Sequence, residues 1–208
     1  VSRRRAEAWP LPPIEPEEWL NADAVVLATG GLSFPRTGSD GTGYALATAL
    51  GHTLEPPVPA LTPLTASDSL CRDAQGLTLE ASRTLRVGGK KEATTRGSLL
   101  FAHFGYSGPA ALDLSRHWHR AEGGGERRVE ANFAPGETRE RLLQAWLEAA
   151  KEAPRRTVKR FLTERMPDRL ADLLCREARL EPGERSSQID RERRTTLIER
   201  VVARALQV

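Results

Sequence analysis

The sequence predicts an α+β fold built from three successive kinds of chain. Residues 24–51 read as strand, glycine turn and helix; residues 56–135 as short β pieces between proline and glycine punctuation; residues 136–208 as amphipathic helices. The change of pattern at each junction sets the expected organisation: an α/β-type part over 1–55, a β unit over 56–135 and a helical unit over 136–208. A chain of 208 residues is long enough to bury a real core.

Residues 1–21 begin with Arg3, Arg4 and Arg5 and continue as WPLPPIEPEEW. Prolines at 10, 12, 13 and 16 exclude a regular helix and favour an extended connector pinned by Trp9 and Trp19. The spacing of Pro10, Pro13 and Pro16 also suits a PxxP peptide ligand, with a connector into the first strand the plainer reading.

The run AVVLA at 24–28 is too short for a helix and is bounded by Asp23 and a glycine pair, which predicts a buried strand of a parallel sheet. Gly30 and Gly31 lack a Cβ, so the backbone there can turn sharply and approach a ligand closely. A loop rich in Ser, Pro, Thr and Gly leads to a short helix over 44–50, with Ser39 or Asp40 as its cap and Gly51 closing it. Such a passage offers backbone N–H groups to a phosphate-bearing ligand. Because GxGxxG is absent, spacing alone leaves a tight strand-to-helix connection as an equal alternative.

Pro56, Pro57, Pro59 and Pro63 mark a stiff crossing between domains near residue 55. Beyond it, β-like pieces at 78–79, 84–87, 99–101 and 129–133 alternate with turn signals at Gly76, Gly88-Gly89, Gly97 and 123–125. That spacing suggests a small sandwich or barrel, with Val87-Gly88-Gly89-Lys90 as a two-residue hairpin turn. Ser107-Gly108-Pro109 reads as a helix start capped by the Ser107 hydroxyl, opening a helix over 110–116. A serine-hydrolase elbow is excluded because glycine directly follows Ser107. His117 and His119, two apart, face different sides of a helix, and no metal site is expected.

From Gly136 the period becomes helical. Thr138 caps a helix with Leu142, Leu143, Trp146 and Leu147 in its stripe; Val158, Phe161 and Leu162 mark a second. Pro167 opens a third with Leu170, Leu173 and Leu174, and Leu197, Ile198, Val201 and Val202 mark a fourth. Each stripe residue stabilises by about 1.5–3 kcal/mol if buried, largely offset by ordering the chain. The tail reads as a packing bundle.

A composition of 39% hydrophobic and 28% charged residues is that of a globular protein. No apolar run approaches the roughly 20 residues of a membrane span, and no signal peptide precedes the first strand. Cys71 and Cys175 form no ligand pattern and read as free thiols in a reducing compartment, so a cytoplasmic protein is expected. The chain carries a net +3, and residues 136–208 hold 17 Lys plus Arg against 13 Asp plus Glu, a surplus of 4. These charges are interspersed as on solvated helix faces, a weak footprint for a nucleic-acid binder.

Two stretches carry a family resemblance. ATGGLSFPRTGSDGTGYALATALGH at 28–52 and LLFAHFGYSGPAALDLS at 99–115 resemble, in the same order, distinctive segments of the BaiN-like (YhiN-type) bacterial flavoproteins, often described as NAD(FAD)-utilising dehydrogenases. The resemblance is clear over residues 23–115 and fainter in the helical remainder. It implies an FAD-binding Rossmann-type domain, an inserted β-barrel with a helical region, and a C-terminal return that closes over the flavin. On this basis the chain is expected to be the middle of an FAD-dependent oxidoreductase that uses NAD(P)H on a small-molecule substrate. It lacks the N-terminal GxGxxG and a strand returning after its last helix. Its expected partners are the remaining parts of the same flavoprotein, without which it is not expected to hold FAD.

The resemblance assigns cofactor contact to Ala28, Thr29, Gly30, Gly31, Ser33, Pro35, Thr37, Gly38, Ser39 and Gly41. His103, Gly105, Ser107 and Gly108 would line the active site, with a plain strand-to-helix connection an equal alternative. No residue stands out as a catalytic acid or base. Phe34 stands where the family has tyrosine, Ala102 where it has threonine, and Tyr106 where it is often aliphatic. Losing hydroxyls at 34 and 102 argues against proton transfer there and leaves the backbone roles of the glycines intact. Two further classes are carried forward: an RNA-binding, tRNA-modification-related module using the basic tail, and a scaffolding or dimerisation insert.

Overall fold

The structure is a computed structural model that describes residues 20–208. The expectations for the arginine run, the PxxP spacing, Trp9 and Trp19 lie outside the described residues. The chain divides into two compact units, Val1–Pro57 and Val58–Val208.

In the first unit the expected strand at 24–28 does not form. A parallel strand exists only through hydrogen bonds to neighbouring strands, and no named strand lies among the described residues of this unit. Val25 and Val26 are accordingly 78% and 85% exposed. A 3-10 turn at Pro35–Thr37 is followed by helix α1 at Thr42–Ala49. Its N-cap is Gly41, and Asp40 serves it from one residue outside: its Oδ1 accepts from the Thr42 N–H at 3.0 Å and the Thr42 hydroxyl at 2.6 Å.

The second unit is a mixed α+β structure in which a curled sheet and its helices share one core. The strands are β1 (Leu64–Thr65), β2 (Thr78–Val87), β3 (Lys90–Ala102), β4 (Gly105–Ser107), β5 (Arg127–Asn132) and β6 (Arg204–Leu206). All pairings are antiparallel, in the order β1-β4-β3-β2-β5-β6. Val87 pairs with Lys90 across Gly88 and Gly89, both at positive φ, as the two-residue turn requires. Gly97 corrects the turn expected there: it lies within β3, opposite Ala81. A strand does follow the last helix, contrary to expectation, and β6 joins this sheet beside β5.

Helix α2 (Ser69–Asp73) is capped by Asp68, and α3 (Pro109–Arg120) starts behind the N-cap Gly108. Ser107 therefore ends β4 and does not cap the helix. The tail supplies α4 (Arg139–Glu152), α5 (Val158–Thr163), α6 (Asp168–Glu177) and α7 (Arg191–Val202). Thr138, Thr157 and Asp190 accept the N–H of Arg141, Arg160 and Arg193 at 3.3, 3.2 and 2.9 Å, each cap stabilising by about 1 kcal/mol. Trp146 stacks edge-on against Phe161 at 4.9 Å and donates its indole N–H to the Ser186 carbonyl at 3.2 Å. Leu147, expected in the stripe, is exposed. No helix among the described residues is long and apolar enough to cross a membrane.

The two ends of the sheet meet. Ser67, just after β1, donates its N–H to the Gln207 carbonyl, just after β6, at 3.1 Å. Beside that bond Arg204 of β6 makes a bidentate pair with Asp68, Nη1 to Oδ2 at 2.5 Å and Nη2 to Oδ1 at 2.8 Å. The same guanidinium binds Glu177 of α6 through Nε at 2.9 Å and Nη2 at 2.7 Å, and the Tyr106 hydroxyl donates to Asp68 Oδ2 at 2.8 Å. Burial alone would raise the Asp68 carboxyl; the hydrogen bonds and charge of Arg204, with those from Tyr106 and the Leu70 N–H, outweigh it and hold the group below its ordinary value.

A depressed carboxyl contributes stability that is present above its unfolded value of 3.8 and lost as the pH falls through the folded one. Asp68→Asn removes the buried carboxylate and leaves Arg204 with Glu177 as its remaining partner, and chemical unfolding at neutral pH should show a loss of about 1–3 kcal/mol. The variant should also be less sensitive than the wild type to acid below about pH 4. Equal stability of the two proteins at both pH values would remove the clasp from any structural account.

Candidate functional site

The first candidate is the loop at 28–43, and it closes on itself. Phe34 and Ser39 bridge in antiparallel fashion around the 3-10 turn, and the Gly41 N–H donates to the Gly31 carbonyl at 3.0 Å. Thr37 turns its hydroxyl back onto the Phe34 carbonyl at 2.8 Å. Gly30 has φ +73°, and a Cβ there would stand 2.7 Å from Ser39 Oγ. A Cβ on Gly43 would overlap Thr29 Oγ1. Ala28, Thr29, Gly30, Gly31, Ser33, Pro35, Thr37, Gly38, Ser39 and Gly41 thus occupy one compact turn, and part of what reads in sequence as ligand approach is packing of the loop on itself.

As a cofactor contact, the turn would suit a planar ring better than a phosphate. The first N–H of α1, that of Thr42, is already served by the Asp40 carboxylate, whose pKa is lowered chiefly by its hydrogen bond from the Thr42 hydroxyl. A second anion there would meet that charge, so α1 is a poor phosphate cradle. The outer side of the turn suits a flat apolar ring: Leu32 and Phe34 are exposed, Phe34 by 56%, and an added Cβ at Gly38 would meet no atom within 4 Å.

The second candidate lies in the other unit. His103 is exposed on the turn between β3 and β4, edge-on to Phe104 with ring centroids 5.0 Å apart. Gly105 and Gly108 hold β4 between its neighbours. A Cβ on Gly105 would overlap the Leu64 carbonyl oxygen of β1, and one on Gly108 would stand 2.6 Å from the Ser98 carbonyl oxygen of β3. Ser107, half-buried, pairs with Leu100. These residues serve the sheet, and His103 alone of the four offers an exposed side chain.

Asp68 and Arg204, both buried, are the groups that sequence reading passed over. Tyr106 is raised well above the ordinary phenol range by burial and by the charge of Asp68, so it is a fixed donor and no base. Burial pushes the Cys175 thiol up to about 12 and raises Cys71 as well, which keeps both protonated and unreactive. Among the described residues no group of three or more His, Cys, Asp and Glu side chains could hold a metal ion. Asp68 ahead of a short helix with Leu70 and Cys71 inward is a capping signal that could have been read; its pairing with Arg204 leaves no local trace.

A family model described as HI0933-like protein barrel and H2TH domain matches residues 58–208, the whole of the second unit. The chain is 35% identical over 152 residues to a 3-dehydro-bile acid delta(4,6)-reductase of Clostridium scindens, covering 72% of this chain and 37% of that protein. It is 30% identical over 151 residues to a ribosomal RNA dihydrouridine synthase of Haemophilus influenzae, covering 72% and 35%. For the ribosomal RNA dihydrouridine synthase of Escherichia coli the figures are 31% over 155 residues, 74% and 36%. The chain spans little more than a third of the length of these curated relatives.

The loop packing is directly testable. Gly43→Ala should loosen residues 28–44, read as faster amide hydrogen exchange there, and adding Thr29→Ala should restore part of the protection because the obstructing Oγ1 is gone. Unchanged exchange in the single variant would mean the turn is held some other way.

Proposed function

We propose a function from the premise that this chain belongs to the HI0933-like family, a family of flavoproteins: it is a segment of an FAD-dependent oxidoreductase that draws hydride from NAD(P)H. The flavin would supply the electron transfer, and the protein its placement and surroundings. In this reading residues 28–31 approach FAD by backbone, and the loop at 33–43 lines the ring pocket. The observation that carries it is the self-closed glycine turn with exposed Leu32 and Phe34 beside it, an apolar surface on which a planar ring can lie. The strand-turn-helix passage would belong to a Rossmann-type domain, in which neighbouring strands would cover Val25 and Val26. His103 is proposed at the substrate side.

The names of the relatives, a reductase and a dihydrouridine synthase, both describe addition of hydrogen to a substrate. The same reaction class is proposed here. An RNA substrate is the second reading, favoured by two ribosomal RNA-acting relatives and by the surplus of 4 positive charges over residues 136–208.

Flavin absorbance tests the first reading: the full-length protein should show bands at about 370 and 450 nm that bleach on anaerobic addition of NADH or NADPH. Absence of bands even after supplying FAD would refute it. Gly31→Ala is the more informative variant than one at Gly30, because Gly31 lacks the positive φ of Gly30 and its Cβ would meet a side-chain atom, the Tyr44 hydroxyl, at 3.0 Å. It should weaken FAD binding by about tenfold, near 1.4 kcal/mol, with unfolding unchanged; full flavin retention would argue against backbone approach at that position.

A further inference from the structure

We propose that the cleft between α3, the adjoining edge of β3 and residues 60–61 is a binding site for a small phosphate monoester with an apolar body. The cleft measures about 660 Å³, within the range of small-molecule sites. Its cations are Arg96 on β3 and Arg116 on α3; both are exposed and neither forms an ion pair among the described residues. Arg116 is steadied by donating its Nε–H to His117 Nε2 at 3.3 Å. Leu61 and Leu112 supply the apolar wall, and Asp113 is the one carboxylate among the lining residues.

A second, independent observation lies underneath. Arg83 of β2 is fully buried, cross-strand from Thr95 of the cleft lining, and its Nε and Nη1 have no hydrogen-bond partner among the described residues. Its Nη2 reaches only the Gly97 carbonyl, at a long 3.5 Å. Burial lowers this guanidinium to about 10, so it remains charged at neutral pH, and the carboxylates it feels are Glu80 and Asp113. A cation left without a partner in a poorly screened interior projects positive potential into the space above it. With Arg83, Arg96 and Arg116 against Glu80 and Asp113, the balance at the cleft is one positive charge in excess.

The wall is also preformed. The Thr62 N–H donates to Ser115 Oγ at 3.2 Å, and that hydroxyl donates to the Leu112 carbonyl at 2.7 Å, fixing the connecting segment onto α3. Leu61 is held at φ +54°, a left-handed conformation that a side chain adopts only under constraint. The strained residue presents its side chain to the cleft, where an apolar ligand body would rest.

The site does not depend on the flavin reading, and the test keeps the two apart. Phenyl phosphate is titrated into the full-length protein at low ionic strength by calorimetry, with phenol as the uncharged control. Phenyl phosphate should bind saturably and phenol at least about tenfold more weakly, because the charge-assisted bonds are lost. Arg96→Ala and Arg116→Ala should each weaken binding about tenfold, and Asp113→Asn should tighten it by about threefold, with flavin absorbance unchanged in all three. No saturable binding, equal binding of phenol, or weaker binding to Asp113→Asn would overturn the assignment. So would a response confined to a single-stranded oligonucleotide and falling steeply with salt, which would place the ligand among polymers.

Discussion

A buried aspartate and a nearly buried arginine, 136 positions apart in the chain, hold the two ends of the sheet together. Taking both charges out of water is unfavourable by several kcal/mol per ion, and only near-complete hydrogen bonding offsets it. Here the offset is built from every side. Asp68 receives the guanidinium, a tyrosine hydroxyl and the Leu70 N–H; Arg204 is shared between Asp68 and Glu177. One ionic centre therefore ties β6, the entry to α2, β4 and α6 to one another. The apolar core around it supplies bulk stabilisation, while the polar centre fixes which end meets which.

How much of this was legible in sequence depends on whether the signal is local. Helices α4 to α7 announce themselves through stripes such as Leu142 with Trp146 and Leu197 with Val201, and through the cap at Thr138. The Gly88-Gly89 hairpin is equally local, since positive φ at both positions belongs to the turn itself. Strand β2 was visible only in pieces because Arg83 interrupts its inward face of Leu79, Ala81 and Leu85. β4, β6 and α2 are three to five residues long, shorter than any period they could display. The expected strand at 24–28 failed for the opposite reason: its apolar run promises burial that depends on neighbours, and none lies among the described residues of that unit.

The candidate flavin loop shows the same divide. Its glycines point in sequence to a close approach of backbone to something, and they do secure one, between Gly30 and Ser39 and between Gly43 and Thr29. Sequence cannot separate a glycine kept for a ligand from one kept for its own loop, because both requirements are steric and identical in composition. The three-dimensional arrangement separates them position by position: Gly38 has open space beside it, and Gly31 faces only the Tyr44 side chain. Family membership places the chain among flavoproteins, and the proposed contact of this loop with the ring rests on the exposed Leu32 and Phe34.

The clasp also orders events in time. Asp68 leaves the ribosome long before Arg204, so throughout synthesis of the intervening helices its carboxylate has no guanidinium to meet. Contacts of such sequence separation form slowly and leave partly assembled sheet edges open while they wait. Until β6 is made, the open edges are β1, two residues long, and β5, six residues long, and β6 then covers β5. Arrival of β6, locked by the ion pair, thus withdraws the longer of these edges from pairing with another growing chain.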